Sequence, residues 1–217
     1  MSQSDSSQSI SREVSRRVFA DEFNTASYTF KESDDERAPV YLLLPTGEQA
    51  NRVFFVGTLT EKEDVGEDSE WWRGRIVDPT GTFFVYAGQY QPEAASALRE
   101  LEPPAYVAVV GKPRTYETDE GEINVSIRPE SITEVSAATR DQWVVETAER
   151  TIDRISRFDD EANEYARMAK EQYGDDVSAY KQTAITALES LESTDELGGS
   201  TDGDTEVAEP VDTNPQP

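Results

Sequence analysis

The sequence contains neither cysteine nor histidine. That excludes disulfides, zinc sites of the Cys/His type, haem ligation by His, and any catalytic triad built on His or Cys. Lysine is scarce, confined to Lys31, Lys62, Lys112, Lys170 and Lys181, so arginine carries most of the basic charge. No run approaches the roughly 18 apolar residues of a membrane-spanning helix. The polar stretch Met1–Ser9 lacks the apolar segment of a secretory signal. The expectation is a cytoplasmic chain with no membrane partner. There is no phosphate-binding G-x-x-x-x-G-K-[ST] loop and no G-x-S-x-G elbow. These absences predict a protein that is not an enzyme and that carries no metal or cofactor.

Acid is what the chain has in excess. Asp and Glu number 45 against 20 Lys and Arg, a formal net charge of −25. Such chains are often disordered. Here 35% of residues are hydrophobic and the apolar positions are patterned, which fits a folded core in an acidic shell. Abundant carboxylate with little lysine is the composition expected of a halophilic protein working in molar KCl. The carboxylates keep the surface hydrated while the salt screens their repulsion. The clusters Asp34-Asp35-Glu36, Glu61-Lys62-Glu63-Asp64, Asp119-Glu120-Gly121-Glu122 and Asp159-Asp160-Glu161 then read as solvated surface rather than metal or nuclease centres.

Along the chain, residues 1–9 read as disordered and 10–50 as an extension. In it, Ile10, Val14, Val18, Phe19 and Phe23 form the stripe of an amphipathic helix over 10–24. Tyr28–Phe30 and Val40–Leu44 then flank a charged loop as a hairpin. Residues 51–138 hold strands at 52–60, 71–77 and 82–87, a short helix at 92–101, and strands at 106–110 and 123–127. An acidic loop at 61–70 joins the first two strands. Asp78-Pro79-Thr80-Gly81 is a type I turn joining the second and third. Three strands, a helix and two strands are the order of a five-stranded OB-fold, a Greek-key β-barrel. Residues 139–193 read as a helical assembly region, opened by a capping box at Thr139 and Gln142. Residues 194–217 read as a disordered acidic tail.

Strand parity points to a binding surface. Trp71, Arg73 and Arg75 share one face of the second strand, and burying two unpaired arginines is too costly, so that face points outward. On the third strand, Phe83, Val85 and Ala87 are the wholly apolar set, leaving Phe84 and Tyr86 outward. On the fifth, Ile123, Val125 and Ile127 point inward and Asn124, Ser126 and Arg128 outward. Lys112, Arg114 and Tyr116 fall on the loop between the fourth and fifth strands. Strands two and three are the ligand face of an OB barrel. Aromatic stacking on bases with Arg on phosphates is how single strands are held. Trp71, Arg73, Arg75, Phe84, Tyr86, Arg114 and Arg128 are therefore the candidate DNA-binding residues. The competing reading is that these aromatics pack under terminal helices. In molar salt counterion release contributes little, whereas stacking at about 1–3 kcal/mol per base survives.

The segments 12–23 (REVSRRVFADEF), 52–60 (RVFFVGTLT), 71–83 (WWRGRIVDPTGTF) and 85–88 (VYAG) resemble the haloarchaeal RPA-associated proteins over about residues 10–190. The resemblance implies an OB-fold accessory subunit in a hetero-oligomer with replication protein A, binding single-stranded DNA in replication and repair. By the same analogy the helices after the barrel make Trp143, Val144, Ile152 and Ile155 partner-interface candidates, against a reading in which they pack within the chain. A protein-binding adaptor and an RNA-binding OB protein are the alternatives.

Overall fold

The structure, a computed structural model, describes residues 13–198. Its centre is built by strands β5 (Val53–Asp64), β6 (Trp71–Asp78) and β7 (Gly81–Gly88), helix α2 (Pro92–Glu100), and strands β8 (Ala105–Glu117) and β9 (Ile123–Glu134). They pair in the order β5-β6-β7-β9-β8, and β8 closes back onto β5. The β7–β9 pair is parallel, at Val85 and Ile127, and the others are antiparallel. This closed Greek-key barrel, with its helix between third and fourth strands, is the OB-fold. Alternate residues fill it: Phe55, Leu59, Ile76, Phe83, Val85, Val107, Val109 and Ile127 are buried. Helix α2 covers the core with Ala94, Ala95 and Leu98.

The strands are longer than the sequence pattern suggests. β5 runs to Asp64, so Glu61–Asp64 belong to a strand rather than to the acidic loop. β8 and β9 form a long hairpin, which places Lys112, Arg114 and Tyr116 on β8 rather than on a loop. At the far end of this arm both Ile123 and Asn124 are exposed, because the hairpin has run past the core; Ser126 is buried instead of outward.

The helix expected over 10–24 is also corrected. Ile10 lies outside the described residues. Arg16–Arg17 form a short strand, β1, parallel to β5, and only Ala20–Thr25 are helical (α1). Val18, Phe19 and Phe23 are buried, but Val14 is 76% exposed. A bond from the Arg16 N–H to the Arg52 carbonyl holds this stretch extended. The buried Asp78 carboxylate then accepts the Ala20 N–H at 2.9 Å, while its other oxygen takes the N–H groups of Thr80 and Gly81. One side chain thus fixes both the β6–β7 turn and the start of α1. Burial pushes the Asp78 carboxyl up, against these bonds.

Beside the barrel, β2 (Thr29–Lys31), β3 (Val40–Leu44) and β4 (Glu48–Ala50) make a separate antiparallel sheet. From Tyr41 to Leu44 both faces of β3 are covered, which is why its run is apolar instead of alternating. Leu42 and Leu44 join the barrel core, whereas Leu43 packs with Phe158, Ala166 and Ala169. The β3–β4 turn needs Gly47: its φ is +82°, and a Cβ would lie 2.7 Å from Ala166 Cα.

Helix α3 (Ala137–Ser156) is capped by Ser136, whose hydroxyl accepts the Thr139 N–H at 3.2 Å, so the cap lies three residues before the expected one. Helix α4 (Glu164–Tyr173) starts at Asn163 and stops at Gly174. Helix α5 (Ser178–Gly198) passes the expected boundary at 193; residues 199–217 lie outside the described residues. No helix among the described residues is long and apolar enough to cross a membrane.

A buried ion pair joins these parts. Arg154 of α3 and Glu22 of α1 are 4% and 1% exposed. The guanidinium also donates to Thr46 at 2.7 Å and to the Arg17 carbonyl at 3.0 Å. Thr46 in turn donates to Glu22. With every polar atom engaged, the charge is tolerable in the interior.

Candidate nucleic-acid interface

The outward face of β6 and β7 carries Trp71, Arg73 and Arg75 opposite Gly88, Tyr86 and Phe84, respectively. Trp71 is 40% and Phe84 39% exposed, while Phe83, Val85 and Ala87 are buried. The parity chosen from the apolar set is the one found. The Trp71 indole lies across Gly88, where a Cβ would approach the ring to 2.4 Å. The Trp71 N–H donates to Asp64 at 3.0 Å, and the Gly66 N–H donates to the same oxygen at 3.1 Å. Those two bonds hold the Asp64 carboxyl below its usual range and pin the β5–β6 turn beside the indole.

The β8–β9 arm brings a second set of side chains to this face. Trp71, Tyr86, Arg114, Tyr116, Ser126, Ile127 and Arg128 line a cleft of about 450 Å3. No carboxylate lines it. Among the described residues, the guanidinium groups of Arg114 and Arg128 have no ion-pair partner.

Arg73 and Arg75 differ. Each is opposite an acid of β5 and bridges to it, Arg73 to Glu63 at 2.7 Å and Arg75 to Glu61 at 3.2 Å. With Lys62 and Phe84 they line a neighbouring hollow of about 270 Å3. The surface predicted as one site is thus two: an acid-free aromatic cleft at the arm, and a charge-balanced patch around Phe84. The sequence reading missed the division because it placed Glu61 and Glu63 on a loop. It also left Tyr116 out of the candidate set.

The terminal helices lie elsewhere. α3 packs across β1, β5 and β8. Trp143 packs at a tilt against Phe54, with ring centroids 4.1 Å apart, and Arg17 sits 3.8 Å from the indole centroid. Arg140 lies 4.9 Å from the Tyr106 ring. Packing beneath helices therefore accounts for Phe54 and Tyr106, and leaves Trp71 and Phe84 open. It also corrects the partner-interface set. Val144 is buried with Phe19, Ala148, Ala184 and Ala187, and Trp143 is committed to Phe54. Ile155 is half-buried, and Ile152 remains exposed.

Chemically, this surface can bind flat rings and anions. Among the described residues no three carboxylates converge as a metal site would require.

No family model matches the chain, and no curated protein matches it. Solved structures do. A small single-stranded DNA binding protein from Mycoplasma pneumoniae is 17% identical, with 38% of this chain and 91% of that one covered and a TM-score of 0.31. The mitochondrial single-stranded DNA binding protein Rim1 of S. cerevisiae is 19% identical, with 40% and 94% covered and a TM-score of 0.31. The asparaginyl-tRNA synthetase of Entamoeba histolytica is 12% identical, with 40% and 21% covered and a TM-score of 0.32. The assignment to the OB-fold rests on the strand order and closure of this chain's own barrel.

Proposed function

We propose that this chain binds single-stranded DNA without catalysis and is an accessory subunit of a replication protein A complex, acting in replication and repair. The observation that carries the binding reading is the acid-free cleft of Trp71, Tyr86, Tyr116, Arg114 and Arg128 in a chain of net charge −25. A surface this acidic repels phosphate everywhere except where carboxylates are excluded. In the cleft, bases stack on the three rings while Arg114 and Arg128 meet phosphates. Stacking keeps its strength in concentrated salt, where the phosphate contribution fades.

The subunit reading rests on the resemblance of segments 12–23, 52–60, 71–83 and 85–88. Because Trp143 and Val144 serve the chain's own fold, the partner meets the outer side of α3. Val145 and Ile152 are exposed there, two turns apart on one face.

The test is to co-express the chain with the larger replication protein A of the same genome and fractionate the product in concentrated KCl. Single-stranded dT, ribo-U and duplex DNA are then compared at equal salt. Co-elution with preference for dT is the expected result. Equal or tighter binding of the ribose strand makes it an RNA-binding protein. Co-elution without any strand binding makes it an adaptor.

A further inference from the structure

The aromatic cleft does not end at the arm. Arg114 and Arg128 also line a larger trough, of about 740 Å3, which continues toward the β7–α2 connection. Lys112 and Tyr90 line that trough as well. Lys112 is the Cα partner of Arg128, and Lys112, Arg114 and Tyr116 occupy every second position along β8. Alternate residues of a strand share a face and stand roughly 6.5 Å apart. One ladder therefore runs Tyr116, Arg114, Lys112, with Arg128 beside Lys112. Like Arg114 and Arg128, the Lys112 ammonium has no ion-pair partner among the described residues. Two acids, Glu93 and Glu130, also line the trough, and Arg52 engages Glu130 at 2.8 Å. Tyr90 is 75% exposed, the largest exposure of any aromatic side chain among the described residues. It sits in the connection before α2, where no part of the hydrophobic core uses its ring.

We propose that the trough is a second subsite for the same polynucleotide, with the Tyr90 ring stacking a base beyond the cleft and Lys112 taking the phosphate between the two. This rests on the single-strand reading of the cleft and adds a direction. The strand leaves Trp71 along the β8–β9 arm toward α2, instead of crossing the barrel toward Phe84. It follows that Arg114 and Arg128, shared by both hollows, hold the sugar-phosphate turn at the centre of the bound segment.

Oligo-dT of graded length separates the two ideas, with the whole chain in concentrated KCl. The shortest oligomers, of about four nucleotides, fill only the cleft; those of about sixteen reach the trough. Tyr90→Ala, shown to be folded, should weaken long oligomers by roughly tenfold and leave the shortest unchanged, and Lys112→Ala, equally folded and titrated down to lower KCl, should reduce the salt slope of the long oligomers by about 0.7. Phe84→Ala should do much less at any length. The second subsite is overturned if the wild type binds both lengths and neither Tyr90→Ala nor Lys112→Ala changes the long one, while the cleft stands. Absence of binding at every length overturns the cleft reading, and the subsite with it.

Discussion

Replacing Glu61 and Glu63 together by Gln should turn the charge-balanced patch into a phosphate-binding one. In the native chain Arg73 and Arg75 face their own carboxylates across β5, and the side chains are 42%/61% and 38%/67% exposed. Exposed pairs of this kind contribute about 0–1 kcal/mol each, so the barrel survives their loss. The effect on binding is larger. Three cations along the groove, Lys112, Arg114 and Arg128, have no acid partner among the described residues. At about 0.7 per neutralised phosphate, log K for a single strand falls with log salt at a slope of about 2 for those three. Freeing two more guanidinium groups raises that slope to about 3.5, and affinity rises with it at the lower salt concentrations. The assay is a fluorescence titration of oligo-dT across the range of KCl in which circular dichroism shows both proteins folded. An unchanged slope would mean that nucleic acid never reaches the Phe84 patch in either protein. A fall in affinity would refute the idea that Glu61 and Glu63 screen it.

Three further outcomes follow. Arg154→Ala leaves Glu22 buried without its partner, at a cost of about 3–5 kcal/mol, and the midpoint of thermal unfolding should drop by roughly 6–20 °C; a drop under about 2 °C would show that the network does not hold α1, α3 and the β3–β4 turn together. Gly88→Ala puts a Cβ within 2.4 Å of the Trp71 ring, so the indole must move, tryptophan emission should shift, and oligo-dT affinity should fall roughly tenfold for the lost stack; unaltered affinity would remove Trp71 from the site. Burial, then the hydrogen bond to Glu32, holds the Tyr165 phenol pushed up to about 12. The native state therefore keeps a proton that the unfolded chain loses near pH 10, so this stability is present below about pH 10 and lost as pH rises to about 12. Urea titrations at stepped pH should show that slope, and Tyr165→Phe should flatten it.

The barrel was legible because its signal is local. Period-two alternation placed Phe83, Val85 and Ala87 inside, and the Asp78–Gly81 turn fixed where β6 becomes β7. What escaped depends on contacts between distant residues. Apolar residues at 14, 18, 19 and 23 fit a helical period, yet pairing of Arg16 with Val53 and Arg17 with Phe54 makes 16–17 a strand and leaves Val14 outside any helix. Glu61–Asp64 look like a loop from their charge alone; they become a strand because β6 runs alongside to Trp72. That misreading hid the acid partners of Arg73 and Arg75. Arg154 and Glu22, 132 residues apart, look like two more surface charges until α1 and α3 are packed together. Of the candidate residues at the arm, Arg128 was expected on the fifth strand and Arg114 on the loop before it; Arg114 instead lies on β8, so a strand pair presents both.

The measurement that bears most directly on the proposed function is the titration of oligo-dT into the isolated chain in about 2–3 M KCl, where phosphate contacts count for little, read by tryptophan fluorescence. Trp71 lies in the cleft, whereas Trp72 packs against the core and Trp143 lies under Arg17. Saturable quenching that disappears in Trp71→Ala, with the far-ultraviolet circular dichroism unchanged, is the predicted result. Quenching that persists in Trp71→Ala, or none at all in the folded wild type, would contradict the cleft as a single-strand platform.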